Sequence, residues 1–229
     1  MRNSELDFLQ DTILGIYGTG GSGKELLEML QECNEYSKNI CKIVMIDDTK
    51  PIGNFRGKEC YPFEEFSKRF NIDKTKIVIA LGEPKYRAML AEKVLEKGYS
   101  LASIIHPTAS ISPTANIEAG VVIRMGCVVS ADSVVRQNTW LQNYVVVGHD
   151  AVIGENCQIS NFVSISGNAV IGDNVYIGPS AVIREKRNIG NNVIVSMGAM
   201  VTNDVPDNKI AIGNPAHSMV QNEKYLVFK

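Results

Sequence analysis

Aliphatic residues recur at every sixth position through the second half of the chain. The series runs from Ile105 to Val201, and all seventeen members are Ile, Val or Leu. The residue four places after each member is Ala, Ser, Cys, Thr or Val, with the single exception of Arg187. A period of six matches neither a helix nor an alternating strand, and hexapeptide periodicity is typical of a parallel β-helix. We therefore expect each six-residue unit to form one short side of a coil.

The repeat also predicts which residues stack. Three units make a triangular coil of 18 residues, so the 97 residues of the series predict about five coils. Neighbouring coils hydrogen-bond as parallel strands about 4.8 Å apart. Residues 18 apart in sequence should therefore lie one above the other, which places Gly167 next to His149.

The first part of the chain alternates predicted strands with predicted helices. Apolar runs predict strands over 13–17, 43–46 and 77–81, and helical spacing predicts helices over 24–33 and 84–97. Such alternation predicts a small parallel sheet with crossover helices, which is a Rossmann-like βαβ arrangement. Ligands of these sheets lie at the carboxyl ends of the strands. The glycine-rich loop after the first strand is thus expected to border a ligand crevice.

A change in composition near residue 104 predicts two domains. Charged residues number 31 in the first 104 positions and 17 in the remaining 125. Leucine is frequent before the change, whereas Val, Ile and regularly placed Gly dominate after it, which is strand composition. We predict an α/β domain over 1–104, an all-β domain over 105–217 and a C-terminal tail over 218–229.

Overall composition disfavours several classes of protein. The 229 residues carry a net charge of about −2, which gives no electrostatic reason to expect binding to nucleic acid or to an anionic membrane. No stretch of 18 apolar residues is present, so we expect no membrane insertion. The first twelve residues lack an apolar core, and the five cysteines form no C-x-x-C pair. We therefore expect a cytoplasmic protein without a disulfide framework or a zinc knuckle.

The loop from Gly18 to Lys24 fits two phosphate-binding patterns, G-x-G-x-x-G and G-x-x-x-x-G-K. The second pattern requires Ser or Thr at the next position to coordinate magnesium, and Glu25 stands there, which disfavours a nucleoside triphosphatase. The first pattern places backbone N–H groups at a helix N-terminus, where they suit any phosphate. The alternative is that these glycines only permit a tight turn.

Four motifs accompany the repeat: YGTGGSG after the first strand, IDD after the second, VVVGHD inside the repeat and GNPA after it. With them the chain resembles the PglD/NeuD-like sugar acetyltransferases of bacterial surface-polysaccharide pathways, which are hexapeptide-repeat acyltransferases with a left-handed β-helix. The resemblance extends over nearly the whole chain and implies the handedness of the helix. It also implies an acetyl-CoA-dependent N-acetyltransferase acting on a nucleotide-linked (UDP or dTDP) 4-amino-4,6-dideoxy sugar.

The resemblance further implies a homotrimer with active sites between chains, direct attack of the amine on the thioester, and no metal. In the family the loop and the paired acids bind the nucleotide-linked amino sugar. The matching residues are Gly20, Gly21, Ser22, Asp47, Asp48 and Gly82, with Arg87 as a further candidate.

Three histidines are candidates for a general base. His106 precedes Pro107 at the domain junction and is expected to be structural, and His217 lies beyond the repeats. His149 stands at an outward-facing corner beside Asp150, where an imidazole has no packing role. Acetyl transfer from a thioester to an amine needs a base for the amine proton, and an imidazole fills this role well at neutral pH. The resemblance assigns the same catalytic role to His149, with Asp150 as its partner.

The family binds acetyl-CoA along a groove between neighbouring coils of the trimer. The matching positions here are Gln158, Pro179 and Met197, followed by the segment 213–216. Gly167 is either an amide donor to the thioester carbonyl, as in an oxyanion hole, or a corner glycine with positive φ. The charged run 184–187 is either a solvated corner or a contact for CoA phosphates.

The sequence leaves three alternatives open. A sugar O-acetyltransferase of the sialic-acid type would use the same base, and the repeat does not separate an amine from a hydroxyl acceptor. A metal enzyme of the γ-carbonic-anhydrase type shares the β-helix but needs three imidazoles around zinc, and only His149 is suitably placed in the coils. A non-catalytic β-helix scaffold would leave His149 and Asp150 unexplained.

Overall fold

The computed structural model describes residues 11–33, 39–216 and 218–228. His217 therefore lies outside the described residues. The described chain forms an α/β domain followed by a parallel β-helix, as the sequence predicts.

The N-terminal domain is built on a six-stranded sheet with the order β3-β4-β2-β1-β5-β6. The strands are β1 (Thr12–Tyr17), β2 (Ile40–Ile46), β3 (Gly53–Phe55), β4 (Lys58–Tyr61), β5 (Thr75–Ile79) and β6 (Ser100–Leu101). The helices are α1 (Gly21–Glu32), α2 (Phe63–Arg69) and α3 (Pro84–Glu96), and a 3₁₀ helix spans Ile72–Lys74. The three strands and two helices expected from the sequence are present, whereas α2, β6 and the antiparallel β3–β4 pair were not expected.

Helices cover both faces of this sheet. Leu26 of α1 packs in one buried cluster with Leu14, and Phe66 of α2 packs in another with Ile77 and Val94. The strands β2, β1 and β5 run parallel to one another in adjacent positions. Their carboxyl ends therefore meet at one edge, where the glycine-rich loop begins.

The second domain coils through three sheets, here called faces 1, 2 and 3. Face 1 contains β7 (Ile104–Ile105), β10 (Val122–Ile123), β13 (Trp140–Leu141), β16 (Gln158–Ile159), β19 (Tyr176–Ile177), β22 (Ile194–Val195), β24 (Lys209–Ile212) and the antiparallel β25 (Ser218–Gln221). Face 2 contains β8 (Ser110–Ile111), β11 (Val128–Val129), β14 (Val146–Val147), β17 (Ser164–Ile165), β20 (Val182–Ile183) and β23 (Met200–Val201). Face 3 contains β9 (Asn116–Ile117), β12 (Val134–Val135), β15 (Val152–Ile153), β18 (Val170–Ile171) and β21 (Asn188–Ile189). Register partners such as Val147 and Ile165 lie 18 residues apart, which confirms the predicted stacking.

The corners of the coil depend on residues that tolerate a left-handed backbone. Examples are Asp132, Asn138, Asp150, Asn156 and Asn168, whose φ values lie between 57° and 59°. Asn and Asp adopt this conformation more readily than other residues with a side chain. At these corners a polar residue thus encodes the turn, whereas Tyr144, Phe162 and Gly126 occupy the same left-handed position at other corners.

The N-terminal domain packs against face 1 of the β-helix. The outward-pointing Ile104, Val122 and Trp140 are buried in the same cluster as Leu26. β6 ends at Leu101 and β7 begins at Ile104, so two residues connect the last strand of the first sheet to the β-helix. This packing holds the strand ends of the first domain beside the coils.

Candidate active site

His149 and Asp150 lie together at the corner between faces 2 and 3. His149 Nδ1 is 2.7 Å from Asp150 Oδ2. Because an ionised carboxylate only accepts hydrogen bonds, Nδ1 carries the hydrogen, and Nε2 of the neutral ring keeps its lone pair. The His149 side chain is 65% exposed. The corner therefore presents a proton acceptor at the surface in a fixed tautomer.

Gly167 lies one coil further along, directly against the imidazole. A Cβ atom at Gly167 would be 2.6 Å from Nε2 and 2.8 Å from Cε1 of His149. The left-handed position of this turn is occupied by Asn168, with φ 59°, and not by Gly167. The expectation of a corner glycine with positive φ is therefore wrong, and the close approach of the ring explains the missing side chain. A role for the Gly167 amide in catalysis stays a prediction.

Gly148 is needed at this corner for a related reason, which the sequence did not reveal. A Cβ atom at Gly148 would be 2.5 Å from the backbone nitrogen of Gly167. The Gly148 N–H donates to Ile165 at 2.7 Å, and the Asn168 N–H donates to the carbonyl of His149 at 2.9 Å. The two coils are thus in close contact on both sides of the histidine, and its backbone is held firmly.

The glycine-rich loop contains two kinds of glycine. Gly18, with φ 119°, and Gly23 are required by the fold, because a Cβ atom at Gly18 would lie 2.7 Å from the carbonyl of Ala80 and one at Gly23 would collide with the carbonyl of Gly18. At Gly20 and Gly21 no described atom beyond the chain neighbours and the backbone of α1 lies within 4 Å of a Cβ position, and neither has a positive φ. The backbone at these two positions is therefore open to a ligand.

The open backbone lies at the N-terminus of α1. Gly20 is the N-cap residue, and no side chain within the described part of the chain caps the helix. No acidic residue stands in the first turn. The first amides of a helix lack internal partners and carry partial positive charge, so this terminus suits a phosphate.

Asp47 and Asp48 follow β2 and have different partners. Asp47 accepts a hydrogen bond from the Thr19 N–H at 3.2 Å and another from the Thr19 hydroxyl, so it holds the glycine-rich loop. Asp48 accepts from Tyr17 Oη at 2.5 Å and from Lys93 Nζ at 2.7 Å. Burial raises the pKa of each carboxyl group, but such hydrogen bonds outweigh it and leave both pKa values below the ordinary value. Both side chains are thus held as anions, and their contact with a nucleotide sugar stays a prediction.

Gly82 follows β5 and faces both the glycine-rich loop and a distant part of the chain. A Cβ atom at Gly82 would be 3.9 Å from Ser22 Oγ and 3.3 Å from Cε2 of Phe228. The structure therefore brings Ser22 and Gly82 together beyond the carboxyl ends of β1 and β5, where the sequence predicts a crevice. Nothing in the sequence indicated that Phe228 lies there.

Arg87 and Gln158 form a buried contact between the two domains. The guanidinium of Arg87, which is 0% exposed, donates to the carbonyl of Cys157 at 2.8 Å, to the carbonyl of Leu81 and to Gln158 Oε1. It also lies over the ring of Trp140, 5.3 Å from the centroid. Burial lowers the pKa of Arg87 to about 9, which leaves it charged at neutral pH. The expectation that Arg87 contacts the nucleotide sugar is therefore wrong. Gln158, which was expected to contact acetyl-CoA, is only 4% exposed beneath the N-terminal domain, and this burial does not fit that expectation.

Pro179 and Met197, the other predicted acetyl-CoA contacts, lie at the corner between faces 1 and 2. Met197 is 77% exposed. Face 2 separates this corner from His149, so a single chain does not bring these residues together. In the charged run at the histidine-side corner, Arg184 pairs with Glu185 at 3.1 Å, and its contact with CoA phosphates stays a prediction.

A cavity of about 710 Å³ lies between α3, the corner joining faces 3 and 1, and the segment 222–227. The predicted site residues do not line it. Among the described residues, no group of three or more His, Cys, Asp or Glu side chains is placed to hold a metal ion. In the same part of the chain, the helices are too short or too polar to cross a membrane.

Two family models match the chain. The PglD N-terminal domain matches residues 13–94, and the GMPPB C-terminal domain matches residues 100–186. No curated protein sequence gives a significant match.

Solved structures match over almost the whole chain. The acetyltransferase domain of PglB from Neisseria gonorrhoeae FA1090 is 29% identical, with a TM-score of 0.83 over 90% of this chain and 99% of that chain. The same domain in complex with acetyl coenzyme A is 29% identical, with a TM-score of 0.82 over 90% and 98%. PerB from Caulobacter crescentus, in complex with CoA and GDP-perosamine, is 25% identical, with a TM-score of 0.82 over 93% and 99%. With this fold and these matches, the chain is similar over almost its whole length to PglD-like sugar acetyltransferases with a left-handed β-helix.

Proposed function

We propose that the chain transfers an acetyl group from acetyl-CoA to the amine of a nucleotide-linked 4-amino-4,6-dideoxy sugar, with UDP or dTDP as the nucleotide. The observation that carries this proposal is the corner of His149, Asp150 and Gly167, where an exposed imidazole is oriented by a carboxylate and by a backbone contact. The PglB domain in complex with acetyl coenzyme A and PerB in complex with CoA and GDP-perosamine support a reaction of this class.

The reaction needs one base and no covalent enzyme intermediate. The sugar amine attacks the thioester carbonyl, a C–N bond forms, and Nε2 of His149 accepts the amine proton. The hydrogen bond from Nδ1 to Asp150 stabilises the imidazolium that results. The tetrahedral intermediate then breaks its C–S bond, and the CoA thiolate takes the proton from His149. General base catalysis of this kind contributes a factor of about 10² to 10⁴ in rate.

Gly167 is the proposed partner of the thioester carbonyl. Its backbone lies against the ring that contains Nε2, on the same outer surface of the coils. An N–H group in this position can donate to the oxygen on which negative charge develops. The base and the oxyanion donor would then belong to two neighbouring coils of one corner.

The crevice of the first domain is the proposed site of the nucleotide. The diphosphate would lie at the uncapped N-terminus of α1, against the open backbone of Gly20 and Gly21 and beside Ser22. Asp47 holds the loop in place through Thr19, so it supports the site even without touching the ligand.

We also propose a homotrimer with active sites shared between chains. His149 and the predicted acetyl-CoA contact Met197 lie on opposite edges of face 2, so a second chain must supply one of them. Face 2 and its edge are apolar toward solvent: Val146 is exposed, and Phe162, 61% exposed, stacks on Tyr144 with ring centroids 5.3 Å apart. Exposed apolar side chains that lie together in this way are typical of contacts between proteins.

A cytoplasmic location fits these reactants. Cys127 and Cys157 are buried thiols, and burial raises their pKa to about 11 and about 12. Such thiols are unreactive packing groups, as in proteins of a reducing compartment.

A thiol-release assay tests the substrate class. Acetyl-CoA is supplied with UDP- and dTDP-linked 4-amino-4,6-dideoxy sugars, with the GDP-linked form, and with the same sugars bearing a hydroxyl at C4. We expect release with the amino sugars and an N-acetylated product by mass spectrometry. Release with the hydroxyl sugars alone would establish a sugar O-acetyltransferase instead.

Subunit complementation tests the shared site. His149→Ala and Met197→Arg chains should each be inactive, and mixing them under conditions of subunit exchange should restore part of the activity. A monomer in sedimentation velocity, or exchanged trimers that recover nothing, would contradict the shared site.

A further inference from the structure

The Phe228 ring borders the crevice while keeping about half of its surface open. One edge lies against Gly82, and the ring meets Tyr176 of β19 edge-on, with centroids 5.6 Å apart and planes at 85°. Phe228 is nevertheless 55% exposed. An aromatic ring that stays exposed to water does not gain the stabilisation that burial of its apolar surface would give. The exposed side of the ring can therefore pack against an apolar group of a ligand.

Glu83 fixes Phe228 in this position through the backbone. Its Oε2 accepts hydrogen bonds from the Val227 N–H at 2.8 Å and the Phe228 N–H at 3.0 Å. Glu83 is buried and directly follows Gly82 in the chain. These hydrogen bonds hold the backbone of Phe228 against the loop that follows β5, and this loop forms the β5 side of the crevice.

The strand order indicates which part of a nucleotide sugar would meet this ring. β1 lies between β2 and β5, and α1 follows β1. In Rossmann-like sheets the ribose lies toward the acidic residue after the second strand, and the diphosphate lies at the helix N-terminus. The acidic residues here are Asp47 and Asp48. The group on the far side of the diphosphate then extends toward β5, where Gly82 and Phe228 lie.

We propose that Phe228 recognises the hexose of the nucleotide sugar, and in particular the methyl group at C6. This inference rests on the function proposed above and names what selects its substrate. The ring would pack against the apolar C–H face and the methyl group of a 6-deoxy sugar. A hydroxymethyl group at C6 would instead lose its hydrogen bonds to water when it packs against the ring, and the ring would offer it no hydrogen-bond partner in return.

The test compares two substrates on the same nucleotide, UDP or dTDP: a 4-amino-4,6-dideoxyhexose and the 4-amino-4-deoxyhexose that retains the C6 hydroxyl. We expect wild-type kcat/KM to favour the 6-deoxy sugar by at least about tenfold. Phe228→Ala should abolish most of this preference and raise KM for the 6-deoxy sugar by about tenfold. KM for acetyl-CoA and the inhibition constant of the free nucleotide should stay within about twofold of the wild-type values.

Tyr225→Ala is the matched control. It removes an exposed aromatic side chain from the same segment, but Tyr225 lines the cavity beside α3 and not the crevice. Its preference between the two sugars should equal that of the wild type. Phe228→Leu is a second variant that keeps an apolar contact with Gly82 without the ring, and melting temperatures show whether each variant is folded.

The outcomes separate this inference from the proposed function. A folded Phe228→Ala enzyme that keeps the wild-type preference would overturn the inference alone. An equal rise in the inhibition constant of the free nucleotide would place the ring at the nucleotide and also overturn it. A wild-type chain that acetylates neither amino sugar would contradict the proposed function itself.

Discussion

The imidazole of His149 and the backbone of Gly167 are in direct contact across two coils of the β-helix. A Cβ atom at position 167 would lie 2.6 Å from Nε2, a distance that real Cβ atoms do not adopt. Since Gly167 lacks a positive φ, the backbone itself would accept alanine. The glycine is therefore required by the ring that lies on it.

Gly167→Ala should inactivate the enzyme without unfolding it. The methyl group would push the imidazole from its place, so kcat should fall by about 100-fold or more. Gly53→Ala is the control, because the nearest atom to its Cβ position is 3.9 Å away and its φ is not positive. In a His149→Ala background the Gly167→Ala change should have little further effect, since alanine keeps the amide at position 167 and its methyl group acts by displacing the imidazole. A fully active Gly167→Ala enzyme would refute this contact as a functional one.

Asp150→Asn should lower activity modestly while keeping the turn. Asn tolerates the φ of 57° at this position and still offers an oxygen to Nδ1–H. The lost negative charge removes about 1 kcal/mol of stabilisation from the imidazolium at an exposed site, so kcat should fall by about 5- to 10-fold. The measurement is kcat beside the melting temperature. Asp150→Ala should lower the melting temperature more than Asp150→Asn does, because the left-handed backbone costs alanine more free energy than it costs asparagine.

Arg87→Met should destabilise the contact between the domains. The change leaves the carbonyl of Leu81 and the Oε1 of Gln158 without the guanidinium donor and removes one of the two donors to the carbonyl of Cys157, which should cost about 3 kcal/mol. The single tryptophan, Trp140, lies under this guanidinium, so its fluorescence during urea unfolding reports the loss. Lys85→Met on the exposed side of the same helix is the control. Equal unfolding free energies for the two variants would contradict the role of Arg87.

The repeat made the second domain predictable. A strict period of six fixes the inward positions, the corners and the neighbour 18 residues away, so the sequence alone predicts the pairing of His149 with Gly167. The reason for Gly167 could not, because it depends on where the imidazole lies and not on the backbone angle of the glycine.

The contacts between residues far apart in the chain could not be predicted from the sequence. Arg87 stands among charged helix residues, yet it is buried against the β-helix, where it donates to Cys157 and Gln158, 70 and 71 positions away. Phe228 is held by Glu83 across 145 positions, and no local pattern marks either partner. Such contacts arise from packing of the two domains, which periodicity and composition do not encode.

The most direct test of the account is the rate of thiol release from acetyl-CoA with a nucleotide-linked 4-amino-4,6-dideoxy sugar, measured for the wild type and for His149→Ala at saturating substrates. His106→Ala is the control, because His106 lies at the first turn of the β-helix, where its Nδ1 accepts a hydrogen bond from the Thr108 N–H. With His149 as the base, His149→Ala should lose about 100-fold or more in kcat, and His106→Ala should keep the wild-type rate. A His149→Ala enzyme that releases thiol at the wild-type rate would show that the base lies elsewhere.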